Sequence, residues 1–212
     1  MDAGAPKFRR RKADRPDEIV SAALATFAEK GFAAAKLDDI ARRAGVSKGA
    51  VYLYFETKED VFRAVVERAI LPNVGMVKAM AAAHPGPLAD LLMGVTSHMA
   101  GVAQTTPLGG VLKMVVGEAR NFPELARVWH DELVSQALGA MTTAIANAQA
   151  RGEVKPGDPR AYALQVVSPL LVGVLWRETF VPVGAEPFDL PALMRQHLET
   201  LLSGMLTEGV RT

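Results

Sequence analysis

Between Ala44 and Phe55 the chain reads AGVSKGAVYLYF, which has the proportions of a sharp turn followed by a short helix. Gly45 tolerates the positive φ that such a turn requires, and Ser47 can cap the helix that follows. Apolar residues on both sides of the turn can lock the two crossing helices together: Ile40, Ala41, Val46 and Val51. The stretch therefore predicts a helix-turn-helix with its turn at Ala44–Val46.

Further helices are predicted on both sides of this stretch. Upstream, apolar residues recur at four-residue spacing from Ile19 to Phe27, and Gly31 ends that helix. A second helix is expected over 37–44, where apolar residues match the i, i+3, i+4, i+7 pattern. Downstream, residues 57–60 (TKED) predict a capping box that starts a helix, which Pro72 should kink or end.

The rest of the chain also has the punctuation of helices, and the alternation typical of strands is nearly absent. Prolines and capping residues mark the expected helix starts. These helices are predicted at about 74–83, 87–104, 107–119, 123–151, 159–179 and 190–207. The predicted fold is all-α, with a basic flexible arm over 1–12, a helix-turn-helix domain over 13–72 and a second helical domain over 73–212.

The composition excludes several classes of protein. The chain has 212 residues, of which 50% are hydrophobic, so it can bury a sizeable core and is not expected to be disordered. The absence of cysteine excludes a disulfide scaffold, an iron–sulfur cluster and thiol catalysis. No signal-peptide segment follows the basic arm, and the most apolar stretch, 163–176, is interpreted as a buried helix too short to cross a bilayer. We therefore expect a cytoplasmic protein without a membrane partner.

An enzymatic function finds no constellation of residues to support it. The four histidines stand far apart in the sequence, and no His-Glu-x-x-His pair is present to hold zinc. The consecutive residues His130, Asp131 and Glu132 would fan out around a helix and could not converge on one metal ion. Gly109 and Gly110 lack the spacing of a phosphate-binding loop. The sequence predicts no catalytic residues, no metal and no cofactor.

The formal net charge of +1 conceals an asymmetric charge distribution. Residues 7–15 carry six basic side chains against one acidic side chain, whereas residues 61–212 carry 12 basic and 13 acidic side chains. A basic arm on a nearly neutral body indicates contact with a polyanion such as DNA, RNA or an anionic membrane. The alternative is a solvated terminus without a partner.

The second helix of the helix-turn-helix shows side chains that suit DNA. Those expected to face solvent are Lys48, Gly49, Ala50, Tyr52 and Tyr54. Small residues would let the helix approach base edges in a major groove, Lys48 could reach a guanine or a phosphate, and Tyr hydroxyls with Lys58 suit flanking phosphates. Helix pairs with a glycine turn also occur in proteins that never bind DNA. The alternative is a helical interaction protein whose arm and helix pair bind a protein or membrane surface.

Several motifs in this region resemble the N-terminal DNA-binding domain of the TetR family of bacterial transcriptional regulators. They occur in the family's order and cover about residues 13–72: Ile19–Phe27, Gly31-Phe32, Leu37–Ala41, Ala44–Gly49, Val51–Phe55 and Lys58-Glu59. The resemblance implies a homodimer with two recognition helices on a palindromic operator in double-stranded DNA. It also implies a C-terminal helical domain whose small-molecule ligand releases the protein from DNA.

The resemblance assigns roles to individual residues. It places the base-facing turn at Ser47, Lys48, Gly49 and Ala50, the phosphate contacts at Tyr52, Tyr54 and Lys58, and core positions at Val51 and Phe55. One departure is visible, because the family usually has a helix-capping threonine where this chain has Ala35. We expect Ala35→Thr to stabilise the protein, by about the 1 kcal/mol that a cap contributes, and Lys36 to replace the threonine's phosphate contact.

The sequence of the second domain says less about its function than that of the first. The helix over 159–179 is apolar on nearly every face, and the last helix carries a broad apolar stripe between Leu193 and Met205. Together they offer more apolar surface than one small bundle needs. Because the resemblance implies a four-helix dimer interface at the last two helices, we expect homodimerisation there in preference to a purely internal core.

The middle helices are expected to enclose a mostly apolar pocket for a lipophilic compound. The candidate lining residues are Met93, His98, Met114, Glu118, Phe122, Trp129, Met141, Trp176 and Phe180. The same residue types are common in ordinary cores, and Arg120 near Glu118 favours a solvated or paired surface charge. The sequence thus predicts a ligand-responsive, dimeric repressor in which the helix from Thr57 is the lever between the domains.

Overall fold

The computed structural model describes residues 15–84 and 86–208, and in these ranges the chain is helical with no β-strand. The helices are α1 (Arg15–Ala34), α2 (Leu37–Arg43), α3 (Lys48–Tyr52), α4 (Lys58–Val65), α5 (Leu71–Ala83), α6 (Leu88–Thr105), α7 (Leu108–Glu118), α8 (Pro123–Trp129), α9 (Ser135–Ala150), α10 (Pro159–Thr179) and α11 (Leu190–Met205). Two π-helical segments, Val66–Ile70 and His130–Val134, follow α4 and α8, and a 3-10 helix covers Val181–Val183. The all-α prediction is confirmed, and the predicted basic arm at 1–12 lies outside the described residues.

Local sequence signals set the ends of the first helices. Gly31 (φ +75°) interrupts α1, and Gly45 (φ +67°) makes the turn between α2 and α3, both in the left-handed region that favours glycine. The Ser47 Oγ accepts a hydrogen bond from the Ala50 backbone N–H and caps α3. Thr57 and its partner three residues later form the predicted capping box of α4. The helix-turn-helix geometry follows from these short-range contacts.

The start of α2 lies one residue later than the capping argument assumed. The N-cap is Lys36, whose side chain makes no capping hydrogen bond, whereas Ala35 precedes the cap and is only 2% exposed. A hydroxyl at position 35 would enter the core and would not lie at the cap position. The expected stabilisation by Ala35→Thr therefore loses its physical basis. The N-cap position that lacks a capping hydrogen bond is residue 36.

The helix that begins at Lys58 does not end at Pro72. The chain stays helical to Ala83, with the π-helical turn Val66–Ile70 immediately before the first turn of α5, which contains Pro72. Proline has no N–H for an i→i−4 hydrogen bond, and the π turn changes the hydrogen-bond register just before this gap. The helix crosses residue 72 without interruption, so no break in secondary structure marks the domain boundary predicted there. That boundary stays a prediction.

The N-terminal helices share their core with part of the second half of the chain. Phe27, Phe32 and Phe62 pack with ring centroids 5.5 to 6.1 Å apart at the centre of this core. Val111 of α7 and Leu125 of α8 belong to the same cluster. The helices α1 and α4, which flank the helix-turn-helix, are therefore packed directly against α7 and α8.

A second core fills the space between α5, α6, α9, α10 and α11. Its fully or almost fully buried members include Leu92, Ile145, Val166 and Leu198. A smaller third cluster joins α6, α10 and α11. The apolar stripe of α11 packs into these two clusters, so most of it is buried within the single chain.

The helix α10 is only partly buried, contrary to the interpretation of residues 163–176 as a buried helix. Leu164, Leu171 and Val172 are exposed, Val172 to 63%. The region Pro159–Val183 is also long and apolar enough to cross a membrane by length and composition, a test that core helices of other proteins pass too. One side of α10 thus packs into the two clusters, whereas part of its apolar surface stays uncovered by the residues that the structure describes.

Candidate functional site

The outer face of the helix-turn-helix is built on the short helix α3. Val51 anchors α3 in the core, which leaves Tyr52, Leu53 and Tyr54 on the outside. A Cβ atom added at Gly49 would meet nothing within 4 Å, so the first turn of α3 is open to a large partner. The exposed surface combines small, basic and aromatic residues, as direct contact with a DNA groove requires.

Lys48 lies on this surface and is engaged by a carboxylate. Its Nζ atom is 2.9 Å from Oδ1 of Asp38 and 5.9 Å from the centroid of the Tyr52 ring. The hydrogen bond to Asp38 raises the pKa of the Lys48 ammonium above its usual value. Both side chains are exposed, so a phosphate or base could compete with Asp38 for this ammonium.

Three other predicted DNA contacts have different surroundings. Lys36 is exposed at the N-cap of α2, and its side chain is accessible. Ala50 is 7% exposed and lies on the buried side of α3, so the structure places it away from the base-facing surface. Lys58 is used inside the chain, because its Nζ donates to the carbonyl oxygens of Phe32 at 2.6 Å and Ala35 at 3.1 Å.

Leu53, at the C-cap of α3, receives no role in the sequence analysis, although the structure leaves it strongly exposed. Its side chain is 79% exposed at the end of the helix. The signal was present in the sequence, since Val51 and Phe55 fill the core and Leu53 falls out of register with them. An apolar side chain at this place suits contact with a thymine methyl group.

The turn after Gly31 is held from both sides by charged groups. The two carboxylate oxygens of Glu118 accept hydrogen bonds from the backbone N–H of Phe32, at 2.8 Å, and of Ala33, at 2.7 Å. Lys58 donates to carbonyl oxygens of the same turn, and its Nζ lies 4.4 Å from the centroid of the Phe32 ring. The end of α7 is thereby attached to the helix-turn-helix domain by charge-assisted hydrogen bonds.

A cavity of about 220 Å³ lies among the helices of the second domain. Its walls come from α5 to α10 and from both π-helical segments, and they are mainly aliphatic. Representative lining residues are Val74, Val102, Leu112, Leu138 and Leu170. No lining residue is Asp, Glu, Lys or Arg, so the site suits an apolar ligand.

The structure places three of the predicted pocket residues on this cavity: His98, Trp129 and Met141. The other six lie elsewhere. Met93 packs against the second core, and Met114 is buried in the first.

The remaining four predicted pocket residues serve local packing or hydrogen bonding. The Phe122 ring stacks edge-on against Phe32, with centroids 5.1 Å apart, and Glu118 binds the backbone as described above. Trp176 and Phe180 pack against each other at the end of α10, and the Trp176 indole donates to the Glu186 carbonyl oxygen. The pocket residues predicted from the sequence are mainly methionines and aromatic residues, whereas the cavity wall is formed mostly by valines and leucines.

The described ranges, 15–84 and 86–208, contain no group of three or more His, Asp or Glu side chains placed to hold a metal ion. The exposed face of α3 and the partly open apolar cavity are the candidate sites in these ranges. Fold and sites together define the class: a helix-turn-helix DNA-binding protein with a second helical domain that contains a cavity.

Comparison with known families gives the same result over most of the chain. Residues 19–65 match the model for bacterial regulatory proteins of the tetR family, and residues 83–190 match the tetracyclin repressor-like C-terminal domain. The chain belongs to the tetR family of bacterial regulatory proteins. It is a DNA-binding transcriptional regulator by this membership, as the TetR resemblance predicted.

Individual relatives extend over nearly the whole chain. The transcriptional repressor BepR of Brucella suis is 29% identical over 191 residues, which covers 86% of this chain and 89% of BepR. The SmeT–triclosan complex has a TM-score of 0.77 at 24% identity and covers 93% of this chain and 94% of the SmeT chain. FadR of Bacillus subtilis in complex with stearoyl-CoA has a TM-score of 0.72 at 23% identity, over 89% of this chain and 98% of that one. The two structural likenesses establish the fold.

Proposed function

We propose that this protein is a dimeric, ligand-responsive repressor that leaves a palindromic operator when a small lipophilic molecule fills the cavity. It acts by binding and not by catalysis, and it works in the cytoplasm, where its DNA lies. BepR is named a repressor, and SmeT was solved with triclosan, which support both parts of the proposal.

The observation that carries the proposal is that the cavity and the DNA-facing domain share two helices. Ile70 and Val74 line the cavity on the continuous helix that begins at Lys58. Leu108 and Leu112 line it on α7, whose last residue, Glu118, binds the turn after Gly31. A ligand that displaces either helix would also move the helix-turn-helix.

The proposed mechanism is a shift between two populations of the dimer. One state spaces its recognition helices for successive major grooves, about 34 Å apart, and the ligand favours a state with a different spacing. A tenfold loss of operator affinity needs a difference of only about 1.4 kcal/mol in ligand affinity between the states. A small apolar cavity can supply that difference.

The proposed dimer interface lies on the exposed faces of α10 and α11. Leu164, Leu171 and Val172 form an apolar surface on α10 that the described helices leave exposed, and α11 packs beside it. Leu164 and Leu171 also line the cavity, so a dimer formed here would cover part of its wall. Such a surface is typical of an interface. Sedimentation at micromolar concentration should show a dimer, and Val172→Glu should convert it to a monomer. A wild-type monomer, or binding to lipid vesicles in place of dimerisation, would contradict this interface.

The central test is a fluorescence-anisotropy titration against DNA from upstream of the protein's own gene, at two salt concentrations. Random duplex serves as the competitor. A specific regulator keeps its preference for the operator as salt rises, because the sequence-independent phosphate contribution is weakened by salt. Binding that random duplex abolishes equally would favour a helical interaction protein with a basic arm.

The proposed roles on α3 are separable by mutation. Lys48→Ala should alter the preference among operator variants, since its exposed ammonium can reach a base edge. Tyr52→Phe should weaken binding to all duplexes similarly, because a phosphate contact carries no base information. The reverse pattern would contradict the assignment.

A further inference from the structure

One residue of the cavity wall carries a polar atom that the described residues leave unsatisfied. His98 of α6 is part of the cavity wall, and its Nε2 is buried without a hydrogen-bond partner, alone among the buried side-chain nitrogen and oxygen atoms of residues 15–84 and 86–208. A buried polar atom without a partner destabilises the ligand-free protein, so most native structures provide one. At a cavity wall the missing partner can be supplied by a ligand.

Two other polar side chains near the wall are already engaged within the chain. The Asn73 side chain donates to the Ala69 carbonyl oxygen at 3.2 Å. Arg177 lies next to the cavity residues Ala103 and Gly109, but its guanidinium donates to the Ala103 carbonyl oxygen at 2.7 Å and to Glu178 at 2.7 Å. Trp129 also brings an indole N–H to the wall, but among the lining residues His98 carries the nitrogen that is buried without a partner, which makes its imidazole the stronger candidate to select a ligand by hydrogen bonding.

We infer that His98 is the polar anchor of the ligand site, and that the ligand is an uncharged, largely apolar molecule with one hydrogen-bonding group, such as a hydroxyl. The inference rests on the proposed ligand cavity and specifies its occupant. A pure hydrocarbon would leave Nε2 unpaired. A carboxylate or ammonium would lose its hydration without meeting an opposite charge, because the lining residues carry none.

The direct test compares matched ligands that differ in one group. Two apolar frames are used, each as hydroxyl, methyl and carboxylate: 1-naphthol, 1-methylnaphthalene and 1-naphthoate, and the corresponding 4-substituted biphenyls. Calorimetric titration of the full-length protein without DNA measures each affinity. In the wild type we expect at least one frame to bind, the hydroxyl compound about fivefold tighter than its methyl analogue and the carboxylate weakest, as one added hydrogen bond implies.

Three variants connect that preference to His98. His98→Leu should reduce the hydroxyl-to-methyl ratio to about one, and His98→Gln, which keeps hydrogen-bonding groups, should retain part of it. Met99→Leu is the matched control, because it changes a neighbouring cavity residue without removing a polar atom, and it should affect both compounds equally. Thermal unfolding of the ligand-free variants shows whether each one folds.

Several outcomes would overturn the inference: no binding by any compound, equal affinity of hydroxyl and methyl compounds, tightest binding by a carboxylate, or a preference that persists in folded His98→Leu. Operator release is measured separately by anisotropy. Binding that depends on His98 but leaves operator affinity unchanged would contradict the repressor proposal and keep the ligand inference. Release of the operator that is independent of His98 would contradict the ligand inference and keep the repressor proposal.

Discussion

The carboxylate of Glu118 accepts a hydrogen bond from the backbone N–H of Phe32, 86 residues earlier in the chain, at 2.8 Å. The second carboxylate oxygen binds the next N–H, of Ala33. This contact joins the end of a cavity-lining helix to the turn that precedes the helix-turn-helix. It is therefore a natural place to test how the two parts of the protein are coupled.

Glu118→Gln should weaken this attachment, because an amide presents one acceptor oxygen where the carboxylate presents two charged ones. We expect the free energy of unfolding to fall by about 1–2 kcal/mol in urea denaturation. Glu67→Gln, an exposed change of the same type in the π-helical segment after α4, should leave stability unchanged. Equal effects of the two substitutions would show that the Glu118 hydrogen bonds contribute nothing specific.

Gly31→Ala should destabilise the protein for two independent reasons. Gly31 has φ +75°, and an added Cβ atom would lie 2.5 Å from Oε1 of Glu118. A left-handed conformation alone costs about 1–3 kcal/mol for a residue with a side chain. Gly117→Ala is the control, because its Cβ atom would meet nothing within 4 Å in α7, and alanine there should be neutral or stabilising. Thermal unfolding that ranks the two variants the other way would contradict the described turn.

Lys36→Thr should stabilise α2 by supplying the cap that the helix lacks. The gain expected from an N-cap hydroxyl is about 0.5–1 kcal/mol. Ala35→Thr should not reproduce the gain, because that side chain is buried before the cap. Unfolding in urea measures both variants. A larger gain from Ala35→Thr would restore the original placement of the cap.

Asp38→Asn should strengthen DNA binding. The substitution releases Lys48 from its ion pair and removes a negative charge beside the recognition surface. We expect about a severalfold gain in affinity that shrinks as salt rises. Asp131→Asn removes one charge from an exposed residue of the second domain and serves as the control. An unchanged affinity for Asp38→Asn would show that Lys48 does not contact DNA.

Acid should weaken the attachment of α1 to α2. Hydrogen bonding to Arg43 lowers the pKa of Glu29, and hydrogen bonding to Lys30 lowers the pKa of Asp39. A lowered pKa in the folded state means that the stabilisation is present above the unfolded-state pKa and is lost as pH falls through the folded-state pKa.

The measurement is the urea midpoint from neutral pH down into the acid range below the ordinary pKa of carboxyl groups. The double variant Glu29→Gln, Asp39→Asn should flatten the decline on the acid side. High salt should reduce the difference between the variant and the wild type, since the Glu29–Arg43 pair is exposed and the Asp39–Lys30 pair is partly exposed. An identical pH profile for wild type and variant would contradict the argument.

The sequence by itself determined the helices, the turn at Gly45, the caps at Ser47 and Thr57, and the family, because these depend on contacts within a few residues. It also indicated the exposed Lys48 and Tyr52. It could not show that Ala50 and Lys58 turn inward, or that Lys36 holds the cap position. Only the tertiary structure decided which apolar residues line a cavity and which fill a core, since valines and leucines serve both purposes with the same periodicity. The bond from Glu118 to Phe32 and the unsatisfied nitrogen of His98 likewise depend on how distant helices pack, and no local pattern in the chain encodes that packing.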